Sequence, residues 1–269
     1  MDVMNDPGPD ETAPTIGPVI VSASLNAASY NRRGAATYED RIDRYIDRRM
    51  TTEVDVVDLQ EVGNGSGRWG RPNCNMRDHL EASWGHRYRR HIGSAGRYCF
   101  SNRRRIKPIK SGVITADPST WFRGDDKQAA YLVFRKEGIL GMDVSFHLES
   151  SEHQAAEAKR IAQMLSIVSG AVEIASEWDV DVRNLLFVGD ANSTQAVPDA
   201  LAGHGWRNVA RGTTFLGEPT FKDWDGRAAK RLDYGFVHDT AGPAALREVI
   251  YDRAVSDHAE LVIERTLVV

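Results

Sequence analysis

The chain has little cysteine and no long apolar run. Its 269 residues include only two cysteines, Cys74 and Cys99, too few for a disulfide scaffold or a cysteine-pair zinc site. We expect two buried thiols, with a disulfide between them as the alternative. No apolar run reaches the roughly 18 residues of a membrane-spanning helix, and the N-terminus has no basic stretch followed by an apolar one. We therefore predict no membrane partner and a cytoplasmic location, with a processed extracellular protein left open.

Neither sign of charge dominates the composition. The chain has 34 basic and 38 acidic residues and a formal net charge of −4, which argues against a histone-like nucleic-acid binder. Residues 1–17 carry acidic side chains but no basic ones and show no apolar periodicity, so we predict a disordered tail there. With 41% hydrophobic residues, the remainder, residues 18–269, can bury a sizeable core.

One segment departs from this balance of charge. Residues 87–110 contain nine lysines and arginines and no acidic residue, with Tyr88, Tyr98 and Phe100 between them. The segment is either a solvated loop or edge strand protected by its charges, or a surface that contacts a phosphate backbone. On the second interpretation, we predict that its three consecutive arginines bind substrate. They are Arg103, Arg104 and Arg105.

The apolar pattern predicts eight strands. They cover residues 18–25, 54–59, 109–115, 129–134, 139–146, 184–188, 232–237 and 260–268. The fourth and fifth of these flank a short polar link that contains Gly138. Since glycine accepts the positive φ of tight turns, we predict an antiparallel hairpin there.

Helical spacing of apolar residues predicts three helices. Two cover residues 38–50 and 76–84. The longest should begin near Ser151, which has capping-box spacing to Gln154, and run towards Trp178, with Gly170 as a point where it can break. Hairpins mixed with helices indicate mixed β-sheets covered by helices, and they argue against a repeating strand–helix barrel.

Polar side chains stand at the ends of several apolar strands, where burial of apolar residues does not explain them. Each alone has an ordinary explanation as a strand end, a helix cap or a turn. Glu61 is harder to explain in this way, because a carboxylate beside a buried strand costs free energy unless it is paired or bound to a metal. Taken together, the polar residues favour a functional site. They are Asn26, Glu61, His147, Asp190 and Asn192 after strands, and Asp257 and His258 before the last strand.

The types of donor in this set point to phosphate chemistry. Carboxylate and amide oxygens suit hard Mg²⁺ or Mn²⁺ ions better than Zn²⁺. The histidines can be cationic beside an anion and still exchange protons near neutral pH. A divalent ion and a protonated histidine offset charge on phosphoryl oxygens, while a carboxylate aligns the attacking water. The set therefore predicts hydrolysis of a phosphate ester.

Six short motifs resemble, in order, the signature blocks of the endonuclease/exonuclease/phosphatase superfamily, which has the deoxyribonuclease I-like fold. Each block alone is weak, but six in the right order, each where a strand ends or begins, are specific. The resemblance implies one catalytic domain over residues 18–269, built as a four-layer α/β sandwich with two mixed β-sheets packed face to face and helices outside. The blocks are Ser24-Leu25-Asn26, Leu59-Gln60-Glu61-Val62, Phe146-His147-Leu148, Gly189-Asp190-Ala191-Asn192, Arg231-Leu232-Asp233-Tyr234 and Ser256-Asp257-His258.

The resemblance also implies which residues hold a metal. Glu61, assisted by Asn26, resembles the family's principal metal ligand. Asp257 resembles its second carboxylate on the metal side. The implied cofactor is Mg²⁺ or Mn²⁺.

The remaining matches imply catalytic roles. Asp190 resembles the residue that positions or deprotonates the attacking water, and Asn192 resembles the residue that orients the phosphate. His258 resembles the phosphate-contacting histidine, and Asp233 its partner, which holds it in one tautomer. His147 resembles the second histidine, which stabilises the transition state or protonates the leaving group.

The core motifs do not choose a substrate, because phosphate monoesters, phosphodiesters and inositol phosphates need the same metal and histidines. The basic segment favours nucleic acid as the partner, with DNA preferred, and hence a metal-dependent nuclease. Two alternatives stay open: a phosphomonoesterase or inositol/lipid-headgroup phosphatase of the same superfamily, and a non-catalytic nucleic-acid-binding module on the same fold. The expected state is a monomer.

Overall fold

The computed structural model describes residues 15–27, 38–62, 76–91, 93, 96–120, 128–151, 155–223 and 229–269. Most of the predicted tail and Cys74 lie outside these residues. The first strand begins at Ile16, two residues before the start of the predicted strand. Cys99 is a buried free thiol, and its Sγ contacts the carbonyl oxygen of Ala130 at 3.7 Å.

The strands form two six-stranded mixed sheets and a two-stranded ribbon in the described part of the chain. The first sheet has the order β13-β14-β1-β2-β4-β3 and the second β5-β6-β7-β8-β12-β9, while β10 and β11 form the ribbon. The strands are β1 Ile16–Asn26, β2 Val56–Gln60, β3 Tyr88–Arg90, β4 Tyr98–Asn102, β5 Lys107–Thr115, β6 Gln128–Lys136, β7 Ile139–His147, β8 Leu185–Asp190, β9 Trp206–Asn208, β10 Phe221–Lys222, β11 Ala229–Lys230, β12 Asp233–His238, β13 Ala244–Ile250 and β14 Glu260–Val268.

Helices cover the outer face of each sheet. The helices are α1 Tyr38–Thr51, α2 Met76–Trp84, α3 Ala156–Glu177 and α4 Ala196–Ala202, with short 3₁₀ turns at Pro118–Thr120 and Val182–Asn184. α1 and α2 pack their apolar side chains on the first sheet, and α3 and α4 pack on the second. Two further apolar clusters lie between the sheets. The predicted four-layer α/β sandwich is confirmed.

Local details differ from the prediction where packing outweighs sequence signals. The predicted antiparallel hairpin is confirmed as β6–β7. Its turn consists of Glu137 and Gly138 alone, both with positive φ. The capping box at Ser151 is wrong: α3 begins at Ala156, and Ala155 makes no side-chain cap. Gly170 does not interrupt the helix. A Cβ there would lie 2.8 Å from Cγ2 of Ile114, so the glycine lets α3 approach the second sheet.

One parallel strand pair in each sheet determines where the strand ends meet. β1 runs parallel to β2, and β7 runs parallel to β8. Successive side chains of a strand point to opposite faces, so apolar residues such as Val57 and Phe187 face the helices. The alternate positions face the other sheet and become polar towards the carboxyl ends. They include Ser22, Ser24 and Asn26 on β1, and Asp143, Ser145 and His147 on β7.

None of the helices in the described residues is both long and apolar enough to span a membrane.

His91 gives the fold a pH-dependent stability. Its Nε2 lies 2.7 Å from Oγ of Ser101, and burial, together with the charges of Arg89 and Arg103, lowers its pKa to about 4. In the unfolded chain its pKa is about 6.5. Below that value the unfolded state binds a proton that the folded state does not, so stability falls as the pH drops from about 6.5 towards 4.

We expect this linkage to cost about 2 kcal/mol of the free energy of unfolding at about pH 5. The measurement is denaturant unfolding of the wild type and of His91→Gln at about pH 7.5 and about pH 5. Because other groups titrate equally in both proteins, the difference between the two free energies isolates His91. A difference that stays constant between the two pH values would contradict the prediction.

Candidate active site at the carboxyl ends of four strands

The parallel strand pairs place four predicted site residues at one rim of the sandwich. Asn26 is the last residue of β1, and Glu61 directly follows β2. His147 and Asp190 are the last residues of β7 and β8 and lie side by side in the register. Below them, Nε2 of Gln60 donates to Oγ of Ser24 at 3.2 Å and to Oγ of Ser145 in the other sheet at 2.8 Å. The four strand ends therefore meet in one cleft.

The side chains of these four residues are in close contact. Nδ2 of Asn26 donates to Oδ2 of Asp190 at 3.0 Å and more weakly to Oε1 of Glu61 at 3.4 Å. Nε2 of His147 lies 3.6 Å from Oε1 of Glu61 and 3.7 Å from Oδ2 of Asp190. Glu61 has a φ of 52°, an uncommon conformation for a residue other than glycine. Such strain is tolerated where it aims a functional side chain.

His258 lies between two carboxylates. Its Nδ1 is 2.9 Å from Oδ2 of Asp233, and its Nε2 is 3.8 Å from Oδ2 of Asp190. Burial alone would lower the pKa of His258, but the charges of Asp233 and Asp190 raise it to about 10. Oγ of Ser256 donates to the carbonyl of Asn26 at 2.7 Å and accepts from the backbone N–H of His258 at 3.1 Å. His258 is thus held as a cation beside β1.

Asp190 combines burial with a fixed orientation. The backbone N–H of Asn192 donates to its Oδ1 at 2.7 Å. Burial raises the pKa of Asp190 to about 7, although the positive charge of His258 acts to lower it. The side-chain amide of Asn192 donates to the carbonyl of Leu148 at 3.1 Å, and Asn192 has a φ of 49°. A carboxylate with a pKa near neutrality is suited to proton transfer at neutral pH.

Gly189 is needed for this arrangement. Its φ is 150°, and a Cβ would lie 1.9 Å from the carbonyl oxygen of Phe146 on the neighbouring strand. Any larger residue would push β7 and β8 apart. His147 and Asp190, which come next on the two strands, would then separate.

The donors fit a hard divalent ion. The carboxylates of Glu61 and Asp190 share one amide of Asn26, and burial raises the pKa of each. A cation between the two carboxylates would offset the free-energy cost of burying their charges. Oxygen donors are those that Mg²⁺ or Mn²⁺ prefers. Asp257, the predicted second carboxylate, is buried, and its charge raises the pKa of Glu61. The Glu61 side chain keeps 24% of its surface exposed, which leaves an approach from solvent.

A second group of donors could also hold an ion. Carboxylate oxygens of Asp190 and Asp233 and a ring nitrogen of His258 lie within 4.8 Å of one another. However, Nδ1 of His258 faces Asp233, and the two charges attract. This group therefore fits an oriented, cationic histidine better than a metal site, because a ligating imidazole must be neutral.

The predicted substrate-binding arginines do not reach the cleft. β4 runs antiparallel to β2, so the turn after β4, which contains them, lies beside the start of β2, whereas Glu61 follows its end. The strand from Asp55 to Glu61 spans about 20 Å at about 3.3 Å per residue. Nε of Arg105 donates to Oδ1 of Asp55 at 2.8 Å. Arg103, Arg104 and Arg105 therefore lie at the opposite end of β2 from Glu61, and their binding of substrate stays a prediction.

The sequence patterns missed two residues that support the site. Arg97 is buried, its Nη2 donates to the carbonyl of His147 at 2.9 Å, and its charge lowers the pKa of Glu61. Oγ1 of Thr220 accepts from the backbone N–H of Asp233 at 2.8 Å. Arg97 belongs to the basic segment, but its sequence surroundings do not separate it from the solvated cations. Thr220 has no sequence signal that we recognise.

Comparison with known proteins identifies the fold. No protein-family model and no curated protein sequence matches the chain. An endonuclease/exonuclease/phosphatase from Bacteroides vulgatus has a similar structure, with a TM-score of 0.71 and 20% identity over 93% of this chain and 99% of that chain. D. rerio TDP2 complexed with single strand DNA product has a TM-score of 0.69 and 19% identity, over 92% and 98% of the two chains.

The human Nocturnin catalytic domain with bound sulfate anion is similar to the same degree. Its TM-score is 0.68 at 18% identity, and the match covers 94% of each chain. These identities are low, but the matches extend over nearly the whole of both chains, as the six motifs predict. The chain therefore has the deoxyribonuclease I-like fold of the endonuclease/exonuclease/phosphatase family.

Proposed function

We propose that the protein is a divalent-metal-dependent phosphoesterase that cleaves phosphodiester bonds, with DNA as the favoured substrate. The observation that carries this proposal is the meeting of Asn26, Glu61, His147, Asp190 and His258 in one cleft, where Oδ2 of Asp190 lies 3.7 Å from one imidazole and 3.8 Å from the other. Such a cleft can hold a cation, a phosphate and a water together.

The negative charge of the phosphate must be offset first. A divalent ion held by Glu61 and Asn26, with Asp257 nearby, would supply a Lewis acid for the phosphoryl oxygens. His258 is kept cationic by Asp233, so its Nε2–H can donate to a phosphoryl oxygen. Arg97 adds a further buried positive charge behind Glu61.

Asp190 acts on the attacking water. One carboxylate oxygen is fixed by the N–H of Asn192, and the other faces the cleft, near both histidines. With a pKa of about 7, the carboxylate can accept a proton from water near neutral pH. His147, close to both Glu61 and Asp190, is the group that stabilises the transition state or protonates the leaving oxygen.

DNA as the substrate is supported by likeness to other proteins. TDP2 of D. rerio has the same fold and is complexed with a single strand DNA product. The human Nocturnin catalytic domain holds a sulfate, an anion with the tetrahedral shape of phosphate. The Glu61 side chain is partly exposed, so a substrate can approach it from solvent.

The test is nicking of supercoiled plasmid with Mg²⁺ or Mn²⁺, with and without a chelator. We expect cleavage that the chelator abolishes and that His258→Gln strongly lowers, while His204→Gln, a matched change at an exposed histidine, leaves it unchanged. Cleavage that survives the chelator would contradict the proposal. Release of inorganic phosphate from small esters without nicking would favour a phosphomonoesterase. No turnover of DNA, RNA or phosphate esters would favour a binding module.

A further inference from the structure

We propose that the end of the sandwich opposite the cleft carries a second contact for the phosphate backbone of long nucleic acids. We call it the distal basic surface. It rests on the proposed function, since it serves the same substrate at a distance from the catalytic residues. It consists of Arg89, Arg103, Arg104, Lys107 and Arg135.

Sheet register places these five residues at the same end. Arg89 pairs with Ser101 on β4, which itself pairs with Val56 at the start of β2. Arg103 and Arg104 lie in the turn after β4, and Lys107 begins β5. Arg135 pairs directly with Lys107. Nζ of Lys136, next to Arg135, donates to Asp55 directly before β2. All five residues therefore lie at the end of the sandwich where β2 begins, and the chain from Asp55 to Glu61, about 20 Å long, separates this end from the cleft.

Two of the acidic residues at this end, Glu53 and Asp55, are paired with other cations, and a third, Glu137, is exposed in the β6–β7 turn. Buried Asp55 accepts from Arg105 and from Nζ of Lys136, and Glu53 lies within 4 Å of Arg87 and Arg105. In the part of the chain that the structure describes, no carboxylate lies within ion-pair distance of the five residues of the distal basic surface. Their charge is thus available to a partner.

Two features show that this charge is costly for the fold. Lys107 and Arg135 are directly opposite each other in an antiparallel pair, an arrangement that destabilises a sheet. Burial and the charges of Arg89 and Arg103 lower the pKa of His91, so the electric fields of these two cations overlap at His91. Protection of an exposed sheet edge would explain Lys107 on β5 and Arg89 on β3, which are edge strands. It does not explain Arg103 and Arg104 in a turn or Arg135 on an inner strand.

The chemistry of the surface fits phosphate and not bases. Four of its five residues are arginines, whose guanidinium groups bind phosphate oxygens in pairs. The aromatic residues of the same segment, Tyr88, Tyr98 and Phe100, are buried and cannot stack on bases. Contacts to phosphate alone carry no sequence information and weaken steeply with salt.

The separation from the cleft makes the effect depend on substrate length. A short oligonucleotide in the cleft cannot also reach the distal basic surface. A long duplex can bend or wrap to contact both the cleft and the distal basic surface. Binding at the surface then raises the effective concentration of the DNA at the cleft. The surface therefore increases affinity for long DNA without changing the chemical step.

The experiment compares two double variants with matched charge changes. Arg103→Glu/Arg104→Glu alters the distal basic surface, and Arg44→Glu/Arg247→Glu alters exposed arginines elsewhere that pair with Asp252 and Glu264. Fluorescence anisotropy measures binding of a duplex of about 40 base pairs and of a single strand of about 3 nucleotides, which is too short to span about 20 Å. A chelator is present so that no cleavage occurs.

We expect the first variant to bind the long duplex about 10-fold more weakly. The slope of its log affinity against log salt concentration should decrease by the amount that corresponds to about two phosphate contacts. The control variant should stay within about twofold, and neither should change binding of the short strand. Equal losses in both variants, no binding of the long duplex by the wild type, or binding only to anionic phosphatidylserine vesicles would overturn the inference. Length-dependent binding in chelator, together with no nicking of plasmid in Mg²⁺ or Mn²⁺, would instead contradict the proposed function and leave the surface intact.

Discussion

Glutamine in place of Glu61 is expected to lower the rate of phosphodiester cleavage by about 10³-fold, equal to about 4 kcal/mol of transition-state stabilisation. The variant keeps an oxygen that can accept from Nδ2 of Asn26 but loses the charge that holds a divalent ion. Because burial raises the pKa of Glu61, the ion-free variant should be at least as stable as the ion-free wild type.

Two measurements separate loss of the ion from loss of the fold. Saturating Mn²⁺ should raise the Tm of the wild type, because an ion that binds only the folded state stabilises it. This increase should be absent in Glu61→Gln and unchanged in Glu248→Gln, which alters an exposed glutamate on β13. If Glu61→Gln keeps both its activity and its Mn²⁺-dependent rise in Tm, Glu61 is not a metal ligand.

Asparagine in place of Asp233 is expected to lower kcat by about 10²- to 10⁴-fold. Asp233 touches neither water nor phosphate in the proposed mechanism and acts through His258, whose Nδ1 lies 2.9 Å from its carboxylate. Without that charge, burial disfavours the cationic imidazole, and the ring loses the partner that orients it. The backbone N–H of Asp233 still donates to Thr220, so the strand should keep its position.

A double-mutant cycle tests whether the two residues act as one unit. If Asp233 works through His258, the loss in Asp233→Asn/His258→Gln should equal the loss in His258→Gln alone. Independent roles would multiply the two losses. Asp239→Asn, at an exposed aspartate in the turn after β12, should leave kcat unchanged. Full additivity would remove Asp233 from the mechanism as described.

The sequence predicts most of the cleft for one physical reason, whereas the four-layer sandwich is implied by the resemblance of the six motifs. Buried strands rarely end in carboxylates, amides or imidazoles without a use for them, so Asn26, Glu61, His147 and Asp190 are visible as exceptions to the apolar pattern. Because parallel strands end at a common edge, these exceptions also predict a meeting point. In the structure, Asn26 and His147 each lie within hydrogen-bond or ion-pair distance of both Glu61 and Asp190.

Other features depend on tertiary contacts that no local pattern records. Arg97 and Arg104 look alike in the sequence, yet the antiparallel course of β4 buries one beside the cleft and exposes the other at the far end. The strands β3 and β4 are short, with three and five residues, and carry little periodicity. The start of α3 depends on how Arg160 and Gln163 bind the backbone at Glu149, and not on a capping box.

The polar residues buried between the sheets have a consequence for the alignment of the two halves of the molecule. Asp143 on β7 accepts from Ser22 on β1 at 2.6 Å and from Arg265 on β14 at 2.5 Å. Apolar layers can slide over one another at small cost, whereas this triad has one geometry that satisfies its charges. We expect this triad to fix the alignment of the two sheets. Apolar replacements of its residues should keep the sandwich folded but misalign His147, four residues further along β7, with Glu61 on the other sheet.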